Sequence, residues 1–228
     1  MSSLNKQIGV SLPFNMLVNA DQMDPSAQAL LAAYNNDLGG MLEALRNLGV
    51  NSIELRGVKG TEPEPIAKAA RLCADAGMQV TIHGNLPIST NPSDFFHQYT
   101  GLPINNRCII VQHALKTDID STVLALQGLA AYADENLPHL FIALENERHK
   151  PTGGSCQSCE DVARALTMVN HPRINACWDF GHHHYNVLTS AEEESMPESM
   201  LPYIVHTHIH GVTNGRTHFP LDGNNPLP

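Results

Sequence analysis

Short apolar runs alternate with longer amphipathic ones along the 228 residues of this chain. Ile8–Leu12, Ser52–Leu55, Gln79–His83, Cys108–Gln112, Leu140–Leu144, Asn175–Trp178 and Tyr203–Ile209 are compact and rich in Ile, Val and aromatics, and predict strands. Between them, Asn36–Leu48, Pro65–Ala76, Ser121–Glu135, Ser158–Val169 and roughly Ala191–Met200 carry apolar residues at helical spacing. Asp120, Ser121 and Ser158 suit helix starts, and Gly49 and Gly77 suit helix stops. Leu48-Gly49-Val50 and Ala76-Gly77-Met78 repeat one device: a helix end, a glycine, then the next strand.

Alternation of β and α implies parallel strands joined by helical crossovers. The strands read as apolar runs, as expected of strands buried on both faces. No polar linker interrupts the pattern, so residues 1–228 are expected to form a single α/β domain, a (β/α) barrel of which seven β units are legible. A closed eightfold barrel typically needs about 250 residues. After Leu221 only seven residues remain, so the eighth unit is expected to be missing from this chain. An open sheet edge invites association, and either residues beyond 228 or a partner chain would close the barrel beside Ile8–Leu12. A homo-oligomer is one form of that expectation.

Composition adjusts this picture. Hydrophobic residues make up 42% and charged residues 16%, ordinary for a soluble globular protein. No apolar run is long enough to span a membrane, and Met1–Gln7 is polar without a signal-peptide core, so a cytoplasmic protein is expected. The net charge of −10 opposes binding to nucleic acid, which rests on Lys and Arg neutralising phosphates. Five irregularly spaced cysteines fit a reducing compartment. Cys156 and Cys159 form a lone C-x-x-C before a helix, which reads as structural or incidental. Glu192, Glu193, Glu194 and Glu198 read as a solvated helix start.

The 13 histidines are the anomaly, because many sit at strand ends. Glu54 closes the second strand, His83 the third and His113 the fourth. Glu145 closes the fifth, Asp179 and His182 the sixth and His208 the seventh, with His218 in the loop beyond. In a parallel barrel these positions open onto one mouth. Imidazole and carboxylate together suit Mn, Zn, Fe or Co better than Ca or Mg.

Ile53-Glu54-Leu55, Leu144-Glu145-Asn146, Asp179-Phe180-Gly181-His182, His206-Thr207-His208-Ile209-His210 and His218-Phe219-Pro220-Leu221 resemble motifs of the xylose isomerase-like TIM barrels. That superfamily includes sugar isomerases and epimerases and apurinic endonucleases of the endonuclease IV type. The last motif is similar to the family's His-x-Pro-Leu-Gly-x-Gly loop, with Asp222 where glycine is usual. The resemblance implies a divalent metal held by Glu145, Asp179 and His208, with His182 close to metal or substrate. It also implies proton transfer between neighbouring carbons of a small sugar, beside a metal-bound carbonyl, with Glu145 and His182 as the catalytic candidates.

Glu54, His83, His113, Arg216 and His218 are the candidate substrate contacts. The endonuclease members instead imply that His83, His113 and His218 are further metal ligands around a phosphodiester. Arg216 departs from that pattern, standing where those enzymes carry an aspartate, and the family's eighth-strand glutamate has no counterpart. A barrel that binds a sugar or a metal without catalysis is the third reading.

Several positions have plainer readings. Glu145 and Asp179 suit helix caps, and His208 suits a satisfied core histidine. His210 competes for the metal position, because His206, His208 and His210 share one face of an ideal strand. Of His182, His183 and His184, at least one reads as solvated loop. Arg148, His149 and Lys150 suit either an acidic substrate group or the surface.

Overall fold

The computed structural model describes residues 7–18, 23, 25–57, 62–84, 88, 91–103 and 107–221. Asp222 and the N-terminal Met1–Lys6 lie outside the described residues. The chain divides into two compact units, Met1–Leu86 with Ser93–Cys108, and Pro87–Pro92 with Ile109–Pro228. No described helix is long and apolar enough to cross a membrane.

The first unit carries β1 (Gly9–Pro13), α1 (Phe14–Val18), α2 (Pro25–Ala32), α3 (Leu38–Asn47), β2 (Ser52–Arg56), α4 (Pro63–Asp75), β3 (Gln79–His83) and most of α5 (Pro92–His97). Its strands pair in sequence order, β1 with β2 and β2 with β3, both parallel. Ile53, Leu55 and Ile82 have no exposed surface, as expected of strands covered on both faces. Asp37 caps α3 by accepting the Gly40 N–H at 3.0 Å. Both anticipated glycine stops are real. Gly49 (φ 91°) and Gly77 (φ 75°) adopt left-handed conformations, and the N–H groups of Val50 and Met78 reach back to the carbonyls of Leu45 and Cys73. Such a helix end needs a residue without a Cβ penalty.

The second unit carries β4 (Cys108–Gln112, from Ile109), α6 (Ile119–Asn136), β5 (Leu140–Glu145), α7 (Cys159–Val169), β6 (Ile174–Asp179), α8 (Phe180–Leu188), a 3₁₀ turn (Glu198–Tyr203), β7 (Ile204–His208), β8 (Gly211–Thr213) and β9 (Arg216–Phe219). Strand order is again sequential, β4-β5-β6-β7, and β5, β6 and β7 are parallel. Val111, Ala143 and Cys177 form a fully buried layer, with Ile109 and Val205 packed against it. Ser158 caps α7 through the Asp161 N–H, as the sequence suggested. Asp118, rather than Asp120 or Ser121, caps α6.

Three further expectations need correction. The helix over Ala191–Met200 does not form: a 3₁₀ turn over Glu198–Tyr203 starts after Pro197 and contains Pro202, and Glu192 is drawn into the protein. The His182–His184 segment is not a loop but lies in α8, started directly by Asp179 as its N-cap. His210 lies beyond the end of β7, so it does not share that strand's face.

Beyond β7, the strands β8 and β9 form an antiparallel hairpin. Asn214 (φ 51°) and Gly215 (φ 69°) make its two-residue turn. Asn-Gly between short strands is the strongest local hairpin signal, and it was present in the sequence.

Candidate metal centre

Residues i and i+2 of a strand share a face. Glu145 therefore lies on the face of Ala143, and Asp179 on the face of Cys177, one step beyond the buried layer at the carboxyl ends of β5 and β6. Both carboxylates are 1% exposed. His208, the last residue of β7, is brought opposite Asp179 by a bulge. Ala176 pairs with Ile204 and Cys177 with His206, so β7 carries one extra residue, Val205. Two residues of a bulged strand oppose one on the partner. In unbroken register Thr207 would face Asp179 and His208 would point elsewhere.

The result is a convergence of two carboxylates and an imidazole. His208 Nδ1 is 2.6 Å from Glu145 Oε1 and 3.7 Å from Asp179 Oδ2. Donor atoms of Glu145, Asp179 and His208 all lie within 4.8 Å of one another. Burial works against a charge on His208, but Cys177, Asp179 and Glu145 outweigh it and hold its pKa well above the usual imidazole value. Asp179 is buried, yet hydrogen bonds from His208 and His210 keep its carboxyl below the ordinary range.

Asp179 has a second task. Its Oδ1 accepts the His182 N–H at 2.7 Å and starts α8. The capping reading of this residue is correct, and the cap leaves Asp179 Oδ2 facing His208 and His210. Asn146, fully buried, cross-links the strand ends: its Oδ1 accepts the Asp179 N–H at 2.8 Å and its Nδ2 donates to the Asp179 carbonyl at 3.0 Å. The Asn146 carbonyl lies 3.0 Å from His182 Nδ1. A carbonyl only accepts, so Nδ1 carries the hydrogen and Nε2 of the neutral ring is left with its lone pair. Burial lowers the His182 pKa and favours that neutral ring.

His182, His210 and His218 form an adjacent trio, with donor atoms within 4.8 Å of one another. His218, at a left-handed φ of 69°, stacks on His210 with ring centroids 4.2 Å apart. Burial and the neighbouring imidazoles push the His218 pKa down to about 4. His210 Nδ1 lies 3.0 Å from the His218 backbone nitrogen and 3.3 Å from the Gly211 carbonyl, and its Nε2 faces the Asp179 carboxylate, which can only accept, at 3.1 Å. His210 therefore acts here as a hydrogen-bond donor to the carboxylate, and His208 holds the position facing both acids.

His113 stands just past β4, its Nδ1 3.3 Å from Glu145 Oε2 and 3.4 Å from Glu147 Oε1. Glu147 also pairs with Lys150, and His149 donates its N–H to Asn186 Oδ1 at 2.6 Å.

Among the sequence candidates, Glu145, Asp179, His182, His208, His218 and His113 are thus brought together in the second unit. Arg216 is exposed on β9, opposite Thr213. Glu54 and His83 belong to the first unit: Glu54 is buried within β2, opposite Ser11 and Thr81, and His83 ends β3. Sequence reasoning gave no role to Asn146, Glu147 or Gly181. Asn146 and Gly181 carried a signal as members of the Leu144-Glu145-Asn146 and Asp179-Phe180-Gly181-His182 motifs, and Glu147 carried none.

The fold is similar to that of known proteins. No curated protein sequence matches the chain. Among solved structures, it is similar to a D-tagatose 3-epimerase-like protein (16% identity over 90% of this chain and 76% of that chain, TM-score 0.59). It is also similar to the probable 3-DHS dehydratase AsbF from Bacillus anthracis (13% identity, 92% and 75%, TM-score 0.55). A third likeness is to D-psicose 3-epimerase from Clostridium cellulolyticum H10 (13% identity, 75% and 67%, TM-score 0.55). At such identities these likenesses concern the fold. The family model described as xylose isomerase-like TIM barrel matches residues 107–228, which include every residue of the centre. The chain therefore belongs to the xylose isomerase-like TIM barrel family.

Proposed function

We propose that this protein is a divalent-metal-dependent isomerase or epimerase of a small sugar or sugar derivative. The observation that carries the reading is the convergence of Glu145, Asp179 and His208 at three successive strand ends. Two carboxylates buried side by side repel each other strongly unless a cation lies between them. The donor set, two carboxylate oxygens and an imidazole nitrogen, fits Mn, Zn, Fe or Co. Separations of 2.6 and 3.7 Å from His208 Nδ1 bracket the spacing of ligands bound at about 2.0–2.2 Å to one centre. A cation bound there would supply Lewis-acid stabilisation of charge developing on a substrate carbonyl oxygen.

The chain's own residues do the rest. Glu145 turns Oε1 to His208 and Oε2 to His113, so one oxygen can serve the cation while the other takes and returns a proton. Asp179 fixes α8 while contributing its own oxygen. Asn146 holds His182 by Nδ1, leaving Nε2 to accept a hydrogen bond from a substrate hydroxyl. His218 and His113 line the approach, and both are partly open to solvent. Neighbours described as a D-tagatose 3-epimerase-like protein and a D-psicose 3-epimerase support the choice of substrate class.

The test is solvent deuterium exchange into a panel of ketoses by metal-loaded protein, with Glu145→Gln as the control. Exchange should appear with at least one ketose and fall about 10²–10⁴-fold in the variant, whose circular dichroism should be unchanged. No exchange with any ketose, or full exchange by Glu145→Gln, would sink the reading.

A second reading, a metal-dependent phosphodiesterase acting on abasic DNA, is favoured by the His182–His210–His218 trio beside the first donor set. Two or three ions side by side suit in-line phosphodiester displacement. Metal stoichiometry separates the two: one ion at this centre for the isomerase, two or three for the hydrolase.

A further inference from the structure

Helix α8 presents a second histidine, His183, to a different set of partners. It is 2% exposed. Its Nε2 lies 3.0 Å from the Glu194 carbonyl oxygen, which can only accept, so Nε2 carries the hydrogen and the lone pair of the neutral ring sits on Nδ1. That lone pair faces Cys159 Sγ at 3.6 Å and Glu192 Oε1 at 3.4 Å. The three atoms lie within 4.8 Å of one another. A sulfur, an imidazole lone pair and a carboxylate oxygen thus point at one small volume. We propose that Cys159, His183 and Glu192 form a second divalent-cation site, suited to Zn²⁺ and separate from the Glu145–Asp179–His208 centre.

The distances fit a coordination tetrahedron. Bonds of about 2.3 Å to sulfur, about 2.0–2.1 Å to nitrogen and about 2.0–2.2 Å to oxygen put tetrahedral S and N about 3.6 Å apart, and N and O about 3.4 Å apart. Those are the separations found. A fourth ligand would complete the tetrahedron.

Outer contacts of the kind that orient metal ligands are in place. The Glu194 carbonyl fixes the His183 ring. Glu192 Oε1 accepts the Cys159 N–H at 2.6 Å, and Oε2 accepts from Asn186 Nδ2 at 3.1 Å. Cys159 has no exposed surface, and the side chains of His183 and Glu192 are 3% and 7% exposed. Thiolate with imidazole and carboxylate favours zinc over magnesium or calcium.

The site ties three pieces of chain together: the first residue of α7, the middle of α8 and the segment after α8. His183 is next to His182, so an ion here would hold α8 in the orientation that aims His182 at the catalytic centre. The C-x-x-C pair is then not a unit. Cys156 turns its Sγ toward the Asp161 carbonyl, 3.9 Å away, and Cys159 serves the site without it.

The competing arrangement is a His183–Glu192 ion pair holding a proton where the cation would sit. Titrating the chelator-stripped full chain with Co²⁺ separates the two. Thiolate-to-cobalt charge-transfer absorption in the near ultraviolet is expected. It should be lost in Cys159→Ser but retained in Cys177→Ser, whose thiol lies beside His208, and in Asp179→Asn. Because Cys159→Ser puts a hydroxyl in a fully buried position and so risks the fold itself, Glu192→Gln provides a second arm. It keeps an oxygen for the Cys159 N–H, should leave circular dichroism unchanged, and should weaken the charge-transfer-reporting Co²⁺ site at least about tenfold. Absence of the band in the unmodified protein, its survival in Cys159→Ser, or unchanged affinity in Glu192→Gln would each overturn the site. Loss of the band in Asp179→Asn would do so too, by assigning it to the other centre.

Discussion

The ring of His210 occupies the space where a side chain at Gly181 would begin: a Cβ on Gly181 would fall 2.1 Å from His210 Cε1. Gly181 is the second residue of α8, and His210 comes just after β7. Their contact lets the imidazole reach Asp179.

Gly181→Ala should therefore displace His210 and break its bond to Asp179. Alanine favours the helix by about 0.5–1 kcal/mol, but overpacking costs about 1–3 kcal/mol. The net expectation is modest destabilisation, with a larger loss of activity and of metal affinity. Thermal melts with metal titrations check it. Unchanged metal affinity would show that His210 does not position Asp179.

The two roles of Asp179 can be separated. Asparagine is as good a helix cap as aspartate, so Asp179→Asn should keep α8 while losing the anion that would meet the cation. Asp179→Ala should lose both and be less stable than Asp179→Asn by about 0.5–2 kcal/mol. Denaturant unfolding of the metal-free proteins gives the difference, and equal stability would remove the capping role.

At physiological salt the protein should have no useful affinity for duplex DNA, because a net charge of −10 opposes the counterion-release contribution. A fluorescence anisotropy titration checks this. Cleavage of an abasic-site oligonucleotide by metal-loaded protein, abolished by chelation, would promote the phosphodiesterase reading instead.

Asp134 on α6 meets Arg173 and His171 at the entry to β6, with His171 Nε2 3.1 Å away. The hydrogen bond from Arg173, with the charge of His171 beside it, holds the exposed Asp134 carboxyl below its ordinary range. A depressed folded pKa contributes stability above the unfolded pKa and loses it as pH falls through the folded one. Asp134→Asn should thus be slightly less stable than the parent near neutrality, and the gap should close in acid. A gap that widens on acidification would contradict the sign.

The strands were legible because parallel strands buried on both faces write themselves as short apolar runs, and both Gly49 and Gly77 marked real helix ends. The short helices α1, α2, α5 and α8 were not legible. A helix of one or two turns has too few positions to establish a period, and in α8 three adjacent histidines hide its apolar face. Only packing shows that His182 turns to Asn146 and Asp179 while His183 turns to Cys159 and Glu192. Glu192 itself reads as a solvated charge because nothing local says that an acid will be drawn onto the N-terminus of α7.

Residue type and placement at strand ends nominated a wider set of acids and histidines, and the resemblance to the xylose isomerase-like barrels singled out Glu145, Asp179 and His208 among them. The sequence by itself thus determined which chemistry stands at the ends of β5, β6 and β7. Which histidine meets the carboxylates was decided by tertiary structure. A period-two strand treats His206, His208 and His210 alike, whereas the extra residue at Val205 sets His208 opposite Asp179 and Gly181 opens the space for His210. A bulge is chosen by the pairing of two strands, and a void by the packing of two elements, so neither is written in one stretch of chain.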